Sequence, residues 1–195
     1  MNETISYYNN NAESFIEGTV NADMSHIYAM FERHCKPNGK VLDFGCGAGR
    51  DTKYFLGKGY RVDAIDGSEE LCKKASAYTG IPVKHMYFNE LNVCEEYDGI
   101  WACASILHVA KDEVADILSR LNRALVNGGC LYLSFKYGSF TGMRNGRFFT
   151  DLTEETFKEI LKTIPSLTLV ESAVTDDVRV DRAERWLNLI LKKQA

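Results

Sequence analysis

The stretch Val41-Leu42-Asp43-Phe44-Gly45-Cys46-Gly47-Ala48-Gly49 constrains this chain more than any other. Lys40–Phe44 reads as a short apolar strand, a turn with glycine at every second position follows, and a helix from about Arg50 to Lys58 begins at once. A strand that passes through a tight turn into a helix belongs to a parallel sheet, because parallel neighbours need a crossover and the helix supplies it. Glycines in the turn let the backbone approach a ligand at no steric cost. In open sheets of this kind, ligands sit in the crevice beyond the carboxyl ends of the strands.

The alternation continues. Tyr60–Ile65, Pro82–Tyr87, Gly99–Ala104 and Cys130–Phe135 read as further strands, and Ser68–Tyr78 and Glu113–Val126 as the helices among them. Asp151–Glu154 resembles a capping box and opens a helix to about Ile164. Ser166–Thr175 and Trp186–Lys192 then look like a hairpin joined by a polar loop. The predicted fold is α/β and doubly wound. It has a mostly parallel seven-stranded sheet with an antiparallel edge element and helices on both faces.

Ahead of the sheet, Thr4–Glu17 and Ala22–Cys35 carry apolar residues at helical spacing. No linker, repeat or low-complexity stretch divides the 195 residues, so a single domain is expected, with 1–36 as a helical lid and 37–195 as the core.

Apolar residues are 45% of the chain, ample for a buried core. The net charge of −4 argues against nucleic-acid and membrane-surface partners. No apolar run approaches the roughly 20 residues of a membrane span, and no leader pattern opens the chain, so a cytoplasmic protein is expected. The six cysteines form no C-x-x-C pair and the histidines lack ligand spacing, so reduced thiols and no metal are expected. Monomer and homodimer are equally open.

Gly45, Gly47 and Gly49 depart from the dinucleotide pattern G-x-G-x-x-G, because Arg50 stands where the last glycine belongs. The second strand ends in Asp66, roughly 20 residues beyond the turn, where nucleotide folds place a ribose-binding carboxylate. Asp66 by itself does not separate one adenosine cofactor from another; the glycine spacing does. The plainer alternative is a tight turn with Asp43 as its structural capper.

An acidic residue followed by G-x-G-x-G resembles the first motif of class I methyltransferases that use S-adenosylmethionine (SAM). The likeness extends through Tyr8–Ala12, Ala64–Ser68, His85–Leu91, Tyr97–Val109, Ala124–Lys136 and Arg147–Thr150. The chain is similar to small stand-alone members of the methyltransferase-11/25 type, tellurite-resistance-like ones included. The resemblance implies methyl transfer from SAM to a small-molecule acceptor, releasing S-adenosylhomocysteine (SAH). It implies that Gly45, Cys46, Gly47 and Gly49 face the methionine part of SAM, with Asp43 at its amino end. Asp66 would grip the ribose with Gly67 beside it, and Phe88 and Asn89 would meet the adenine. Ala102 and Cys103 would line the methyl-donor end, and Tyr8 would close over the cofactor.

On the acceptor side, His108 is the candidate base, against the alternative of a packing or hydrogen-bonding histidine. In the loop expected after the fifth strand, Lys136 and Arg147, with Arg144, read as cations for a small anionic acceptor, and Tyr137 and Phe148 as the residues that close its pocket; solvated surface charge is the alternative. Arg182, Arg185 and Trp186 suggest a cation–π lid, against surface arginines and a core tryptophan. Cys103 has no visible activating partner, so it reads as lining. Two other classes remain: a non-catalytic SAM-binding module and an NAD-dependent oxidoreductase.

Overall fold

The computed structural model describes residues 3–179 and 182–194; of the predicted polar loop, positions 180 and 181 lie outside this range. Three short helices, α1 (Glu3–Asn10), α2 (Ala12–Glu17) and α3 (Ser25–Glu32), precede the sheet. Then come β1 (Lys40–Phe44), α4 (Arg50–Gly57), β2 (Arg61–Asp66), α5 (Glu69–Thr79), β3 (Val83–His85) and β4 (Tyr97–Ala102). The chain continues with α6 (Val114–Ala124), β5 (Leu125–Lys136), β6 (Thr141–Arg144), β7 (Arg147–Thr150), α7 (Glu154–Leu161), β8 (Leu167–Asp176) and β9 (Arg185–Lys193).

Seven strands form one sheet in the order β3-β2-β1-β4-β5-β9-β8. The first five are parallel, and β9 and β8 add an antiparallel edge. The order reverses between β1 and β4, which opens the crevice at the carboxyl ends of those two strands.

Strand alternation divides the core. Leu42, Phe44, Ile100, Ala102, Leu131, Leu133 and Phe135 face one side, under α6 and α7 through Leu118, Leu121 and Phe157. Val41, Trp101, Tyr132 and Ile190 face the other, under α3 and α4 through Ile27, Phe31 and Phe55. Both faces are apolar, which is why the central strands read as unbroken hydrophobic runs.

Four expectations change. The first predicted helix is two, because the chain leaves helical geometry at Asn11, whose side-chain amide donates to the Tyr7 carbonyl at 2.8 Å. The second covers only Ser25–Glu32, with Ser25 N–H bonded to Asp23 just ahead of it. The helix predicted over Glu113–Val126 stops at Ala124 and β5 starts at Leu125, since Leu125 pairs with Tyr97 on β4. The segment after β5 is no loop but the separate β6–β7 hairpin. Its turn, Asn145-Gly146, has positive φ at both residues (51° and 76°), the geometry that Asn-Gly favours in two-residue hairpins.

Gly49 caps α4 at φ 78°, and a Cβ there would lie 2.7 Å from Thr79 Cγ2 and 3.2 Å from Ala75 Cβ. It is the residue that lets α4 and α5 close on each other. Gly49→Ala should destabilise the fold by about 1–3 kcal/mol, read as a lower urea midpoint with unchanged slope. An unaltered midpoint would show that the turn is not under this constraint.

Candidate functional site

The site is built on the ends of β1 and β2. Gly45 and Cys46 N–H both donate to the Ile65 carbonyl, at 2.9 and 3.0 Å, which folds the turn back over β2. Gly45 sits at φ 86°, and a Cβ on it would strike Ser105 Cβ at 2.5 Å, so the turn comes down onto the end of β4. Asp66 joins the two turns: its Oδ2 accepts from Gly47 N–H at 2.9 Å and its Oδ1 from Ser68 N–H at 2.8 Å. Burial raises its pKa, against the pull of those N–H groups. Each oxygen keeps acceptor capacity, and Asp66 lines the cavity.

That cavity has a volume of about 890 Å³. At one end it meets Gly45, Gly47, Asp66, Gly67, Phe88 and Asn89, and Phe88 stacks on Phe44 with ring centroids 4.4 Å apart. Cys46 also lines it. In the middle it meets Tyr8, Cys103, Ser105 and His108, and at the other end Lys136, Arg147, Phe149 and Trp186. The helical segment closes this space. Asn9 Oδ1 accepts from the Ser68 hydroxyl at 2.7 Å, tying α1 to the cap of α5, while Thr4 Oγ1 accepts from Phe148 N–H at 2.9 Å.

Several predicted site residues lie elsewhere. Asp43 is buried beneath the turn, where its carboxylate accepts from Thr52 at 2.6 Å; burial, then the neighbouring Asp51 carboxylate, push its pKa up. Gly49 packs against α5 instead of facing the cavity. Ala102 points into the core under α6 because alternation along β4 sends it away from Cys103. Tyr137 bridges to Leu152, with the Arg185 guanidinium 4.8 Å over its ring, outside the cavity. Alternation along β7 likewise puts Phe149, not Phe148, on the wall. Arg144 is paired with Asp151 at 2.8 Å and stacked 4.2 Å from Phe140, away from the cavity. At Trp186 the cation is Lys136, 6.0 Å from the ring, and the indole N–H donates to Asp177. Arg182 lies 3.8 Å from Glu184.

His108 is in place but held at both ring nitrogens. Nδ1 lies 2.6 Å from the Phe148 carbonyl, which only accepts, so Nδ1 carries the proton and Nε2 takes the Tyr8 hydroxyl at 2.9 Å. Burial, with Arg147 and Lys136 nearby, pushes its pKa down to about 4. Cys103 faces the cavity, and burial pushes its thiol up to about 12, the reverse of an activated nucleophile.

Three features escaped sequence reasoning. Arg50 forms a buried pair with Asp51, whose oxygens also accept from Tyr28 and Trp101. Asn9 fastens α1. The Ser105 hydroxyl is buried without a partner. Asn9 lies inside Tyr8–Ala12 and Ser105 inside Tyr97–Val109, but their roles depend on contacts between distant segments.

A family model for a methyltransferase domain matches residues 41–129. Within that segment the chain is similar to methyltransferase domains. An uncharacterized methyltransferase from Staphylococcus carnosus is 27% identical over 136 residues, a match that covers 66% of this chain and 66% of that one. Among solved structures, the Burkholderia thailandensis 1,6-didemethyltoxoflavin N1-methyltransferase, with 1,6-didemethyltoxoflavin and SAH bound, superposes at a TM-score of 0.79 with 23% identity, covering 98% of this chain and 85% of that chain. The N-methyltransferase NodS from Bradyrhizobium japonicum, bound to SAH, gives 0.72 at 16% identity, covering 96% and 98%. At these identities the structural likeness is one of fold.

His108 sets the sign of one pH effect. Between its ordinary 6.5 and its native value of about 4, the unfolded chain binds a proton that the folded protein does not. Stability should therefore fall as pH drops through that window and level off below it. In His108→Gln this part of the slope should vanish, measured by urea unfolding near neutral pH and at about pH 5. A variant with the full wild-type slope would refute the assignment.

Proposed function

We propose that this protein takes a methyl group from SAM and delivers it to a small acceptor that carries an anionic group, releasing SAH. The observation that carries the reading is the convergence of Asp66, the glycine turn and Ser105 on one end of the cavity. The fit is testable in the structure itself. A buried hydroxyl without a partner, Ser105 Oγ, faces a turn whose backbone lies open because Gly45 has no side chain. A buried polar atom left unpaired costs about 1–3 kcal/mol, so a ligand that satisfies it is favoured.

In this reading Asp66 accepts from the ribose hydroxyls, with Gly67 alongside. The backbone of Gly45, Cys46 and Gly47 faces the methionine part, and Phe88 and Asn89 take the adenine. Tyr8 covers the centre, and Cys103 lines the methyl-donor end. Asp43 and Gly49 shape the turn from beneath, and Ala102 supports the floor from the core. SAM, when bound, supplies a methyl group on a positively charged sulfur, and the acceptor supplies the lone pair. The chain's part is alignment and exclusion of water, which need no obligatory base. Since His108 is uncharged at neutral pH, with Nδ1 donating its proton to the Phe148 carbonyl and Nε2 accepting from Tyr8, its task is to fix the Tyr8 hydroxyl. Residues 1–36 serve as the lid of a single domain. The mildly acidic chain fits a cytoplasmic monomer or homodimer without a nucleic-acid or membrane partner. Among the described residues no helix is long and apolar enough to cross a membrane.

Calorimetric titration tests the donor site. SAM and SAH should bind the wild type, NAD should not, and Asp66→Ala should weaken SAH by about tenfold or more, the worth of a lost charge-assisted hydrogen bond. Binding of NAD with no response to SAM would overturn the reading.

A further inference from the structure

Six cations line the cavity among the described residues: Arg50, Arg120, Lys136, Arg147, Arg179 and Arg182. Five face a carboxylate. Arg50 is paired with Asp51, Arg120 with Asp116, Lys136 with Glu184 and Arg179 with Asp177, while Arg182 lies 3.8 Å from Glu184. Arg147 has none. Among the described residues its one side-chain hydrogen bond is a long one, from Nη1 to the Tyr8 hydroxyl at 3.5 Å, and its buried Nε has no partner. The guanidinium is held among aromatic rings, 4.6 Å from the Tyr7 centroid, 5.3 Å from Phe149 and 5.8 Å from Tyr8. A charge in such a place is costly unless something neutralises it.

We infer that Arg147 is the recognition site for a carboxylate on a planar aromatic acceptor, an inference that rests on the methyl-transfer reading above. The free Nε and its adjoining Nη present two parallel N–H donors, the fork that a carboxylate meets with both oxygens. One uncompensated charge matches a monoanion; a phosphate dianion would need a second, and Lys136 is already taken by Glu184. From Arg147 the wall runs over Phe149, whose ring also lies 5.0 Å from Lys136 Nζ and 4.8 Å edge-on from His108, and on toward Trp186. Flat, apolar faces of this kind suit a flat ring better than a puckered one. The anion also offsets the repulsion between Arg147 and the cationic sulfur of the donor. The carboxylate serves here for recognition, because a guanidinium bonded to its oxygens draws away the electron density that attack on a methyl group requires.

Benzoate is the probe, with benzamide as its neutral counterpart and cyclohexanecarboxylate as its puckered one, each titrated into the full-length protein with and without SAH. Benzoate should bind more tightly than either. Arg147→Gln should weaken it about tenfold or more, Arg147→Lys should recover part of the loss, and Arg144→Gln should leave it unchanged. Benzoate binding that survives Arg147→Gln, or equal binding of benzamide, would overturn the carboxylate site. Equal binding of cyclohexanecarboxylate would overturn the aromatic class. SAH is titrated separately into the same proteins, so a failure of the donor site shows up independently of the anion site.

Discussion

Two backbone N–H groups from two different turns end on one buried carboxylate, that of Asp66. The turn after β1 and the turn after β2 are thereby fixed relative to each other, and the rest of the site follows from that fixed pair. Ser68, held by Asp66 through its N–H, caps α5 with its side chain and hands its hydroxyl to Asn9. Helix α1 is therefore tied to the same carboxylate that faces the ribose in the proposed complex. Burial raises the pKa of Asp66, and the N–H groups oppose the shift. They stabilise the charged form, which is the form that accepts hydroxyl hydrogen bonds.

A second chain of contacts closes the cavity from the opposite side. The Phe148 N–H donates to Thr4 on α1 and the Phe148 carbonyl accepts from His108, and His108 in turn receives the Tyr8 hydroxyl. Hairpin, helix and the segment after β4 thus meet at the backbone of one residue, Phe148. Burial above all, then the nearby Arg147 and Lys136, holds the pKa of His108 far below its ordinary range, against the pull of the Phe148 carbonyl. The burial that makes His108 a poor base leaves both its ring nitrogens to protein partners and makes it a good fixing point.

Charge in the site is governed by pairing, not by count. Lys136, Arg144 and Arg147 stand close together in sequence and looked alike as candidates for binding an anion. Glu184 and Asp151 neutralise the first two, and Arg147 remains. Glu184 reaches Lys136 because β9 lies beside β5, with Lys136 opposite Trp186. That neighbour is set by sheet order, which separates the two residues widely along the chain.

The sequence by itself determined the parallel sheet, the glycine turn, Asp66 at the end of β2 and the antiparallel edge. Each of these is written in local pattern: apolar runs of strand length, glycines at fixed spacing, caps and breakers. Phe88, Asn89, Cys103 and His108 all line one cavity, because strand ends converge on one crevice in this topology. Sequence reading missed the β6–β7 hairpin and made it a loop, although its turn is the Asn145-Gly146 dipeptide that best fits it. Tertiary structure alone decided which side of a strand each neighbour faces at the cavity rim. It sent Ala102 inward and Cys103 outward, turned Phe149 rather than Phe148 to the wall, and buried Asp43 beneath the turn. It also decided which cations are neutralised. Both outcomes depend on contacts between segments far apart in the chain, and local pattern carries no record of them.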